Sequence, residues 1–235
     1  MQISDNYLSL TIDQEQELLN KGYTSLPQIK NDFISQDEID ELIASRDKVY
    51  TSGTSFHKKY IKKNNIYTQL KEDLKKLAKK YYKNNLEYND TYEITRITKG
   101  SQKSESYLGH FDSHLFTLVT PILIPETNSE ESGQLIVFPK IRKEPKSESI
   151  NILSKIYYKR YHSKEKFTKL MKLKKYIEFN FKDEIPMLFL GRVTLHGNRG
   201  FKLDMENYRI TLLTHFFDPS PKYGIGNILR YLRSR

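Results

Sequence analysis

Three residues whose types bind metal ions lie in two short motifs. His110 and Asp112 are two residues apart in Gly109-His110-Phe111-Asp112. Alternate side chains of an extended strand point to the same face, so this imidazole and this carboxylate can converge on one ion. A second imidazole, His196, follows another strand-like run. Two imidazoles and one carboxylate, with the remaining coordination positions open, suit a non-haem Fe(II) ion that activates oxygen.

Other interpretations of the same residues stay open. The ligand types also suit zinc, and a His-x-Asp pair arises by chance in many proteins. A Ser/His/Asp hydrolase is a further alternative because Ser113 lies between Asp112 and His114, but no glycine pattern of a nucleophile elbow surrounds it.

We expect His114 to line the pocket or to be structural. His57 and His162 lie among lysines and are expected at the surface. His215 lies in a strand-like run and is expected to be a hydrogen-bonded core histidine rather than a ligand.

An arginine follows the second histidine. Arg209 opens the strand-like run 209–213, and its guanidinium fork is well suited to hold a carboxylate in a mostly closed pocket. Thr211 lies on the same strand face and could donate its hydroxyl to that carboxylate. The alternative is an ordinary surface ion pair of Arg209 with Glu206 or Asp204.

Composition limits the class of protein. A length of 235 residues fits one domain, so we predict a single domain over residues 1–235. The absence of cysteine excludes disulfides, zinc–thiolate sites, iron–sulfur clusters and a cysteine nucleophile. The N-terminal residues lack the pattern of a signal peptide, and no apolar run has the length of a membrane span, so we expect a cytoplasmic protein.

Helical patterns dominate residues 1–88, which we predict to support a sheet. The first helix starts near Thr11 and ends at Gly22. The second follows a capping box formed by Ser35 and Glu38, flanked by Ile34 and Ile39 as a hydrophobic staple. The third covers about residues 66–82, with one apolar face formed by Leu70, Leu74, Leu77 and Tyr81.

Strand patterns dominate residues 89–146 and 183–218. The runs lie at residues 92–98, 116–124, 133–139, 185–190 and 209–217. Pro121 interrupts the second run and indicates a bulge or an edge strand. Several short strands separated by polar turns are typical of a β-sandwich or barrel.

A basic segment separates these two groups of strands. Fourteen Lys or Arg residues and four Glu lie between Lys140 and Lys182, and this excess equals the net charge of the whole chain, +10. Residues 147–182 have a helix-favouring pattern, and we predict a basic helical insertion there. One helical face of it contains Ile150, Leu153, Ile156 and Tyr157. Such an insertion can be a lid, a binding surface, an oligomer contact or a passive surface loop.

Together these motifs resemble the Fe(II)/2-oxoglutarate-dependent dioxygenases, in particular the branch of prolyl hydroxylase-like and phytanoyl-CoA hydroxylase-like enzymes. The resemblance rests on His110-x-Asp112, His196, Arg209-x-Thr211 and the run Gly133-x-Leu135-x-x-Phe138-Pro139. The segments 22–26 and 34–39 are similar to the opening part of such proteins. The likeness extends from about Gly22 to Phe217, except for the basic insertion.

The resemblance implies a mainly β fold with flanking helices, a double-stranded β-helix (jelly roll, cupin-like). It implies a hydroxylase that uses Fe(II), 2-oxoglutarate and O2. His110, Asp112 and His196 would be the catalytic metal ligands. Arg209, assisted by Thr211, would bind the far carboxylate of 2-oxoglutarate. The carboxylate of Asp112 also argues against a halogenase, in which a small residue leaves room for a halide.

These motifs do not identify the substrate. The basic segment favours a small anionic or carrier-bound substrate, such as an acidic sugar, a lipid headgroup or an acyl group. Candidate substrate residues are His114, Arg96, Lys172, Lys174 and Lys175. We do not expect nucleic acid, although basic and aromatic residues alternate at 157–161. The competing class is a non-enzymatic basic jelly-roll module that binds nucleic acid or an anionic surface, and peripheral membrane contact stays open.

Overall fold

The computed structural model describes residues 8–28, 35–44, 50–52, 66–82, 90–99, 106–125, 132–181, 183–200 and 208–219. The helices are α1 (Ile12–Lys21), α2 (Gln36–Ala44), α3 (Ile66–Tyr81), α4 (Glu148–Tyr158) and α5 (Lys164–Leu173), and a 3-10 turn (Lys159–Tyr161) joins the last two. The strands are β1 (Tyr23–Ser25), β2 (Tyr50–Ser52), β3 (Thr91–Lys99), β4 (Phe116–Leu123), β5 (Leu135–Phe138), β6 (Ile177–Phe179), β7 (Met187–Leu190), β8 (Leu195–Asn198) and β9 (Tyr208–Phe216).

These strands form two antiparallel sheets. The larger sheet has the order β1-β7-β4-β9-β3-β2, and the smaller one has the order β6-β5-β8. A buried apolar cluster joins Val119 and Met187 of the larger sheet to Leu135 and Val137 of the smaller one. The sheets therefore face each other across an apolar interior, as expected for a mainly β fold with flanking helices.

Strand β9 shows how the larger sheet separates its two faces. Ile210, Leu212 and Phe216 belong to the core formed with the helices α1 to α3, to which Leu18, Leu42, Leu70 and Leu74 also contribute. The alternate residues of β9 face the interior between the sheets, where they line a pocket: Arg209, Thr211, Leu213 and His215. One strand therefore supplies both the support and the polar side chains of the site.

The helix signals read from the sequence are largely confirmed. Thr11 and Gln14 form a capping box at the start of α1, and the helix ends at Gly22 in a left-handed conformation. Ser35 and Glu38 hydrogen-bond reciprocally at the start of α2, whereas Ile34 lies outside the described residues. On the predicted apolar face of α3, Leu70, Leu74 and Leu77 are buried, whereas Tyr81, in the last turn, is 48% exposed.

Pro121 lies at a bulge in the middle of the larger sheet. Strand β4 pairs with β7 on one side and β9 on the other, and its register with β9 shifts between Pro121 and Leu123. The bulge alternative is confirmed; although β4 is a central strand, its pairing with β7 ends at Val119, so Pro121 itself pairs only with β9. The irregularity accommodates a residue that cannot donate a backbone hydrogen bond.

The basic segment covers the outer face of the smaller sheet. Phe167 and Leu170 of α5 pack against Ile136 and Leu195 in one buried cluster. The predicted helical insertion 147–182 is helical only as far as Leu173. Its later part contains β6, which pairs with β5 because the β-branched and aromatic side chains of Ile177–Phe179 favour an extended conformation.

Candidate metal centre and its pocket

The three predicted metal-binding side chains converge along the outer edge of β8, the edge strand of the smaller sheet. His110 and His196 form an antiparallel bridge, with backbone hydrogen bonds of 2.9 and 3.0 Å. Asp112 is held beside them because its backbone N–H donates to the carbonyl oxygen of Gly191 at 3.1 Å. The Nε2 atoms of His110 and His196 lie 4.0 and 3.7 Å from the Asp112 carboxylate oxygens. His196 lies inside β8 rather than after the strand.

Both histidines present an unprotonated nitrogen to this point. Nδ1 of His110 lies 2.9 Å from the carbonyl oxygen of Leu108, and Nδ1 of His196 lies 3.3 Å from that of Thr194. A carbonyl only accepts, so each Nδ1 carries the hydrogen and each Nε2 keeps a lone pair. This is the tautomer that a metal ion requires when it binds Nε2.

The electrostatics favour neutral imidazoles. Loss of solvation, reinforced by neighbouring His196, lowers the pKa of His110 to about 4. The side chain of His110 is 52% exposed, which weakens the loss of solvation without changing the direction of the shift. Burial likewise lowers the pKa of His196. Neither ring therefore competes with a metal ion for a proton at neutral pH.

Asp112 is oriented by residues of two further strands. Thr117 of β4 donates a 2.5 Å hydrogen bond to Oδ2 of Asp112, and Nδ1 of His215 on β9 lies 3.7 Å from the same oxygen. Burial raises the pKa of Asp112, but His196, His215, His110 and the Thr117 hydrogen bond outweigh it and hold that pKa below its ordinary value. The carboxylate is therefore ionised. His215 is the hydrogen-bonded core histidine that the sequence predicts, since Thr117 lies 3.1 Å from its Nδ1; the role of Thr117 was not predicted.

Two glycines permit the close approach of the metal-binding segments. A Cβ atom at Gly191 would lie 2.7 Å from the carbonyl oxygen of His114 and 3.0 Å from Cβ of Asp112. A Cβ atom at Gly197 would lie 3.0 Å from the carbonyl oxygen of Leu108 and 3.2 Å from the Phe167 ring. Larger residues at either position would displace the segments that carry the ligands.

A pocket of about 190 Å³ opens between the sheets beside these ligands. Arg209, only 6% exposed, lines it together with Thr211. Its guanidinium donates to the backbone carbonyl oxygens of Ser132 and Gly133. Burial, followed by the neighbouring Arg96, lowers the pKa of Arg209 to about 9. No carboxylate of the described residues pairs with this cation; Asp204 and Glu206 lie outside them.

Two more arginines line the same pocket. Arg96 of β3 is directly opposite Thr211 in the sheet register, and the side-chain amide of Asn198, with its oxygen turned toward it, accepts from its guanidinium. Arg199 pairs with Glu178 at 2.8 Å. Arg96 was among the predicted substrate residues, whereas Arg199 and Asn198 were missed because they follow His196 in an irregular stretch of sequence.

A second pocket, of about 460 Å³, shares Asp112 and His215 with the first. His114 lines it and stacks on the rings of Tyr92 and His215, as expected for a residue that is pocket-lining or structural. Lys172, Lys174 and Lys175 line neither pocket and are exposed at the end of α5. The structure therefore does not bring these three predicted substrate residues to the site.

The remaining candidates have other surroundings. The Ser113 hydroxyl accepts a hydrogen bond of 2.8 Å from Nζ of Lys155. A serine nucleophile would need a histidine as its partner, so this contact does not support the serine hydrolase interpretation. His162, predicted at the surface, is exposed and its Nε2 lies 2.9 Å from the carbonyl oxygen of Gly109. His57 lies outside the described residues.

The donor set fits a single divalent ion. The ligand atoms of His110, Asp112 and His196 all lie within 4.8 Å of one another. Two ligands that each bind an ion at about 2.1 Å are at most about 4.2 Å apart, so the separations from Asp112 are compatible with a shared ion. Two imidazoles, one carboxylate and an adjoining pocket are the arrangement typical of non-haem Fe(II) oxygenases.

In the part of the chain that the structure describes, no helix combines the length and the apolar character that crossing a membrane requires.

Comparison with known proteins finds similar structures but no similar sequence. No family model matches the sequence, and no curated protein matches it. A prolyl 4-hydroxylase from Pseudomonas putida aligns with a TM-score of 0.51 and 10% identity over 87% of this chain and 92% of that one. A prolyl 4-hydroxylase from Phytophthora capsici aligns with a TM-score of 0.52 and 11% identity over 95% and 70%. The α-ketoglutarate-dependent non-haem carbocyclase SnoK of nogalamycin biosynthesis aligns with a TM-score of 0.52 and 10% identity over 94% and 91%.

The chain therefore has the jelly-roll fold of the 2-oxoglutarate-dependent Fe(II) oxygenases. The similar structures include prolyl 4-hydroxylases, which confirms at the level of the fold the resemblance read from the motifs.

Proposed function

We propose that the protein is an Fe(II)- and 2-oxoglutarate-dependent oxygenase that hydroxylates an unactivated C–H bond of a small substrate. The observation that carries this proposal is the convergence of His110, Asp112 and His196 beside a pocket that also contains the buried cation of Arg209. The shared fold supports it. The fold alone would fit many activities, so the proposal rests on the site.

His110, Asp112 and His196 would hold the metal ion. When bound there, Fe(II) supplies oxygen activation, in which O2 and 2-oxoglutarate are consumed, carbon dioxide and succinate are released, and an oxygen atom is transferred to the substrate. The backbone carbonyls of Leu108 and Thr194 fix both imidazole rings, and Thr117 fixes the carboxylate. Prepositioned ligands need no rearrangement when the ion binds.

Arg209 and Thr211 would bind the carboxylate of 2-oxoglutarate that lies farther from the metal. A guanidinium fork recognises a carboxylate through two parallel hydrogen bonds, and burial excludes the water that would compete for them. The carbonyl oxygens of Ser132 and Gly133 only partly offset the cost of burying the Arg209 charge, so an anion that enters the pocket would stabilise it further. The pocket is therefore selective for an acid.

The substrate would be anionic or carrier-bound, such as an acidic sugar, a lipid headgroup or an acyl group. Arg96 supports this choice because it lines the pocket that contains the metal ligands. Arg199 also lines that pocket, but its charge is paired with Glu178. His114 would contact the substrate from the second pocket. Lys172, Lys174 and Lys175 are not needed for this proposal.

Uncoupled turnover tests the proposal. The purified protein, loaded anaerobically with Fe(II), is mixed with 2-oxoglutarate and oxygenated buffer, and succinate is quantified. We expect iron-dependent succinate formation, accelerated by the correct member of a panel of anionic metabolites. Complete absence of 2-oxoglutarate binding and of succinate would contradict the proposal and favour a binding module. Hydrolytic activity with zinc and without 2-oxoglutarate would favour a zinc hydrolase.

A further inference from the structure

Helix α4 exposes an apolar face. Ile150, Leu153, Ile156 and Tyr157 are 49%, 66%, 58% and 52% exposed. They follow the helical spacing that the sequence indicates, so they form one continuous stripe. Of the eight large apolar side chains that are exposed among the described residues, four belong to this single helix. Such concentration distinguishes the stripe from the scattered apolar residues of an ordinary surface.

The opposite face of α4 is turned toward the protein and is mainly polar, apart from Tyr158, whose ring packs on Phe111. Asn151 is fully buried and accepts a hydrogen bond from Arg142 at 2.8 Å. Glu148 accepts from buried Arg192 at 2.8 Å. Lys155 reaches Ser113, beside the metal-binding segment. A surface helix normally buries its apolar stripe and exposes its polar face, whereas α4 buries mainly polar side chains and exposes an apolar stripe.

This orientation is held in place by specific contacts. Arg192 is 3% exposed and also donates from Nε to the carboxylate of Glu144 at 2.6 Å. Rotating α4 to bury its apolar stripe would break these ion pairs and leave Arg192 buried without them. The apolar stripe can therefore be buried only by a partner outside the domain, such as another molecule or a membrane.

We propose that the apolar face of α4 docks on an anionic membrane surface. The face is bounded at both ends by exposed cations: Lys143 and Lys146 precede the helix, and Lys159 and Arg160 follow it. The guanidinium of Arg160 lies 3.7 Å from the centre of the Tyr157 ring, so a cation adjoins the stripe directly. An apolar stripe that enters the acyl boundary, with cations that meet lipid phosphates, is the arrangement of an interfacial helix.

A second copy of the chain fits this face poorly. Two such faces would bring the basic segments together, and these segments contain the whole net charge of +10. The acidic residues near α4 do not compensate, because Glu144 and Glu148 are paired with Arg192. A single helix of 11 residues also offers less than the roughly 20–30 residues per side of a stable protein interface. Membrane docking needs no such area.

The inference is independent of the proposed oxygenase function, because it uses no metal ligand and no residue of the metal pocket. Its test is binding of the full chain to vesicles of phosphatidylcholine alone or of phosphatidylcholine with phosphatidylserine, measured by sedimentation. We expect binding to the anionic vesicles only. The variant L153S/I156S should bind them at least about tenfold more weakly. The matched control I12S/I185S, which removes two exposed apolar side chains elsewhere, should bind as the wild type does.

Fluorescence supplies a second measurement that does not depend on loss of binding. The chain contains no tryptophan, so Tyr157→Trp and Ile12→Trp each introduce a single reporter. We expect the emission of Tyr157→Trp to shift to the blue on anionic vesicles and that of Ile12→Trp to stay unchanged. Circular dichroism would confirm that each variant is folded.

Three outcomes would overturn the inference. In the first, L153S/I156S binds anionic vesicles as tightly as the wild type, so only the lysines act. In the second, the wild type ignores both vesicles and is a dimer in solution that L153S/I156S converts to a monomer, which assigns the face to a second copy. In the third, the wild type is monomeric and binds neither vesicle.

Discussion

At the scale of single residues, the site depends on how Asp112 is held. Its carboxylate lies within 4.0 Å of ring nitrogens of His110, His196 and His215, and Thr117 donates to it. These neighbours keep it ionised in spite of burial. The negative charge that a divalent ion requires is therefore present before any ion binds.

Replacing this carboxylate should remove metal binding. We expect Asp112→Asn, which keeps the shape and loses the charge, to weaken Mn(II) binding by at least about 100-fold and to abolish succinate formation. Calorimetric titration with Mn(II) measures the first effect. Asp13→Asn, at an exposed position on α1, is the control and should behave as the wild type. Unchanged Mn(II) affinity in Asp112→Asn would refute the proposed ligand set.

Arg209 should act on the cosubstrate and not on the metal. We expect Arg209→Gln to weaken 2-oxoglutarate binding by about 100-fold, since removal of one partner of a buried charge pair costs about 2–5 kcal/mol. Mn(II) affinity should stay within about twofold of the wild type, because Arg209 is not a ligand. Titrations with each ligand separate the two effects. Equal 2-oxoglutarate affinity in Arg209→Gln and in the surface control Arg160→Gln would disprove the assignment.

Sequence reasoning located some residues of the site and missed others for a physical reason. His110 and Asp112 share a face because of their two-residue spacing, and Arg209 and Thr211 share one for the same reason. Thr117 reaches Asp112 only because β4 pairs with β9, opposite His215. Gly191 matters only because the Asp112 segment folds over it. Contacts of this kind depend on strand pairing, which local patterns do not encode.

At the scale of elements, α5 supports the metal-binding segments from outside. Phe167 is fully buried, and the space that its ring occupies is left free by Gly109 and Gly197. These glycines adjoin His110 and His196. The helix thereby packs against the backbone beside both imidazoles, although it contributes no ligand itself.

Truncating this ring should affect stability and metal binding together. We expect Phe167→Ala to lower the free energy of unfolding by about 3–5 kcal/mol because a cavity replaces the ring, and to weaken Mn(II) binding by about tenfold or more. Leu173→Ala, on the same helix at a side chain 68% exposed, should change stability by less than about 0.5 kcal/mol. Urea denaturation measures the free energy of unfolding of the two variants, and calorimetric titration measures their Mn(II) binding. Similar losses in the two variants would show that α5 does not act through Phe167.

The exposed apolar face of α4 shows what the spacing of apolar residues in a sequence does not predict. The spacing of Ile150, Leu153 and Ile156 predicts that they share a face, and they do. It does not say whether that face points inward, because direction is decided by partners distant in sequence, here Arg142 and Arg192. Strand β6 was missed for a similar reason: three residues are too few for a periodic signal, and pairing with β5 decides their conformation.

At the scale of the whole molecule, ligand binding should be measurable as stability. A ligand that binds only the folded chain at about 100 times its Kd adds about 2.7 kcal/mol, and each kcal/mol raises the Tm of a chain of this size by about 2–4 °C. We therefore expect saturating Mn(II) with 2-oxoglutarate to raise the Tm by about 5–11 °C in anaerobic scanning calorimetry. Asp112→Asn should show no such rise. An equal rise in that variant would place the ligands elsewhere.

The alternation along β9 limits how this strand can change in evolution. Arg209, Thr211 and His215 face the pocket, whereas Ile210 and Leu212 face the helices. Deleting one residue within the strand would exchange the two sets, bringing a guanidinium among leucines and isoleucines and leaving the pocket lined with aliphatic side chains. Homologues should therefore vary in β9 by substitution, with insertions and deletions confined to the segments on either side.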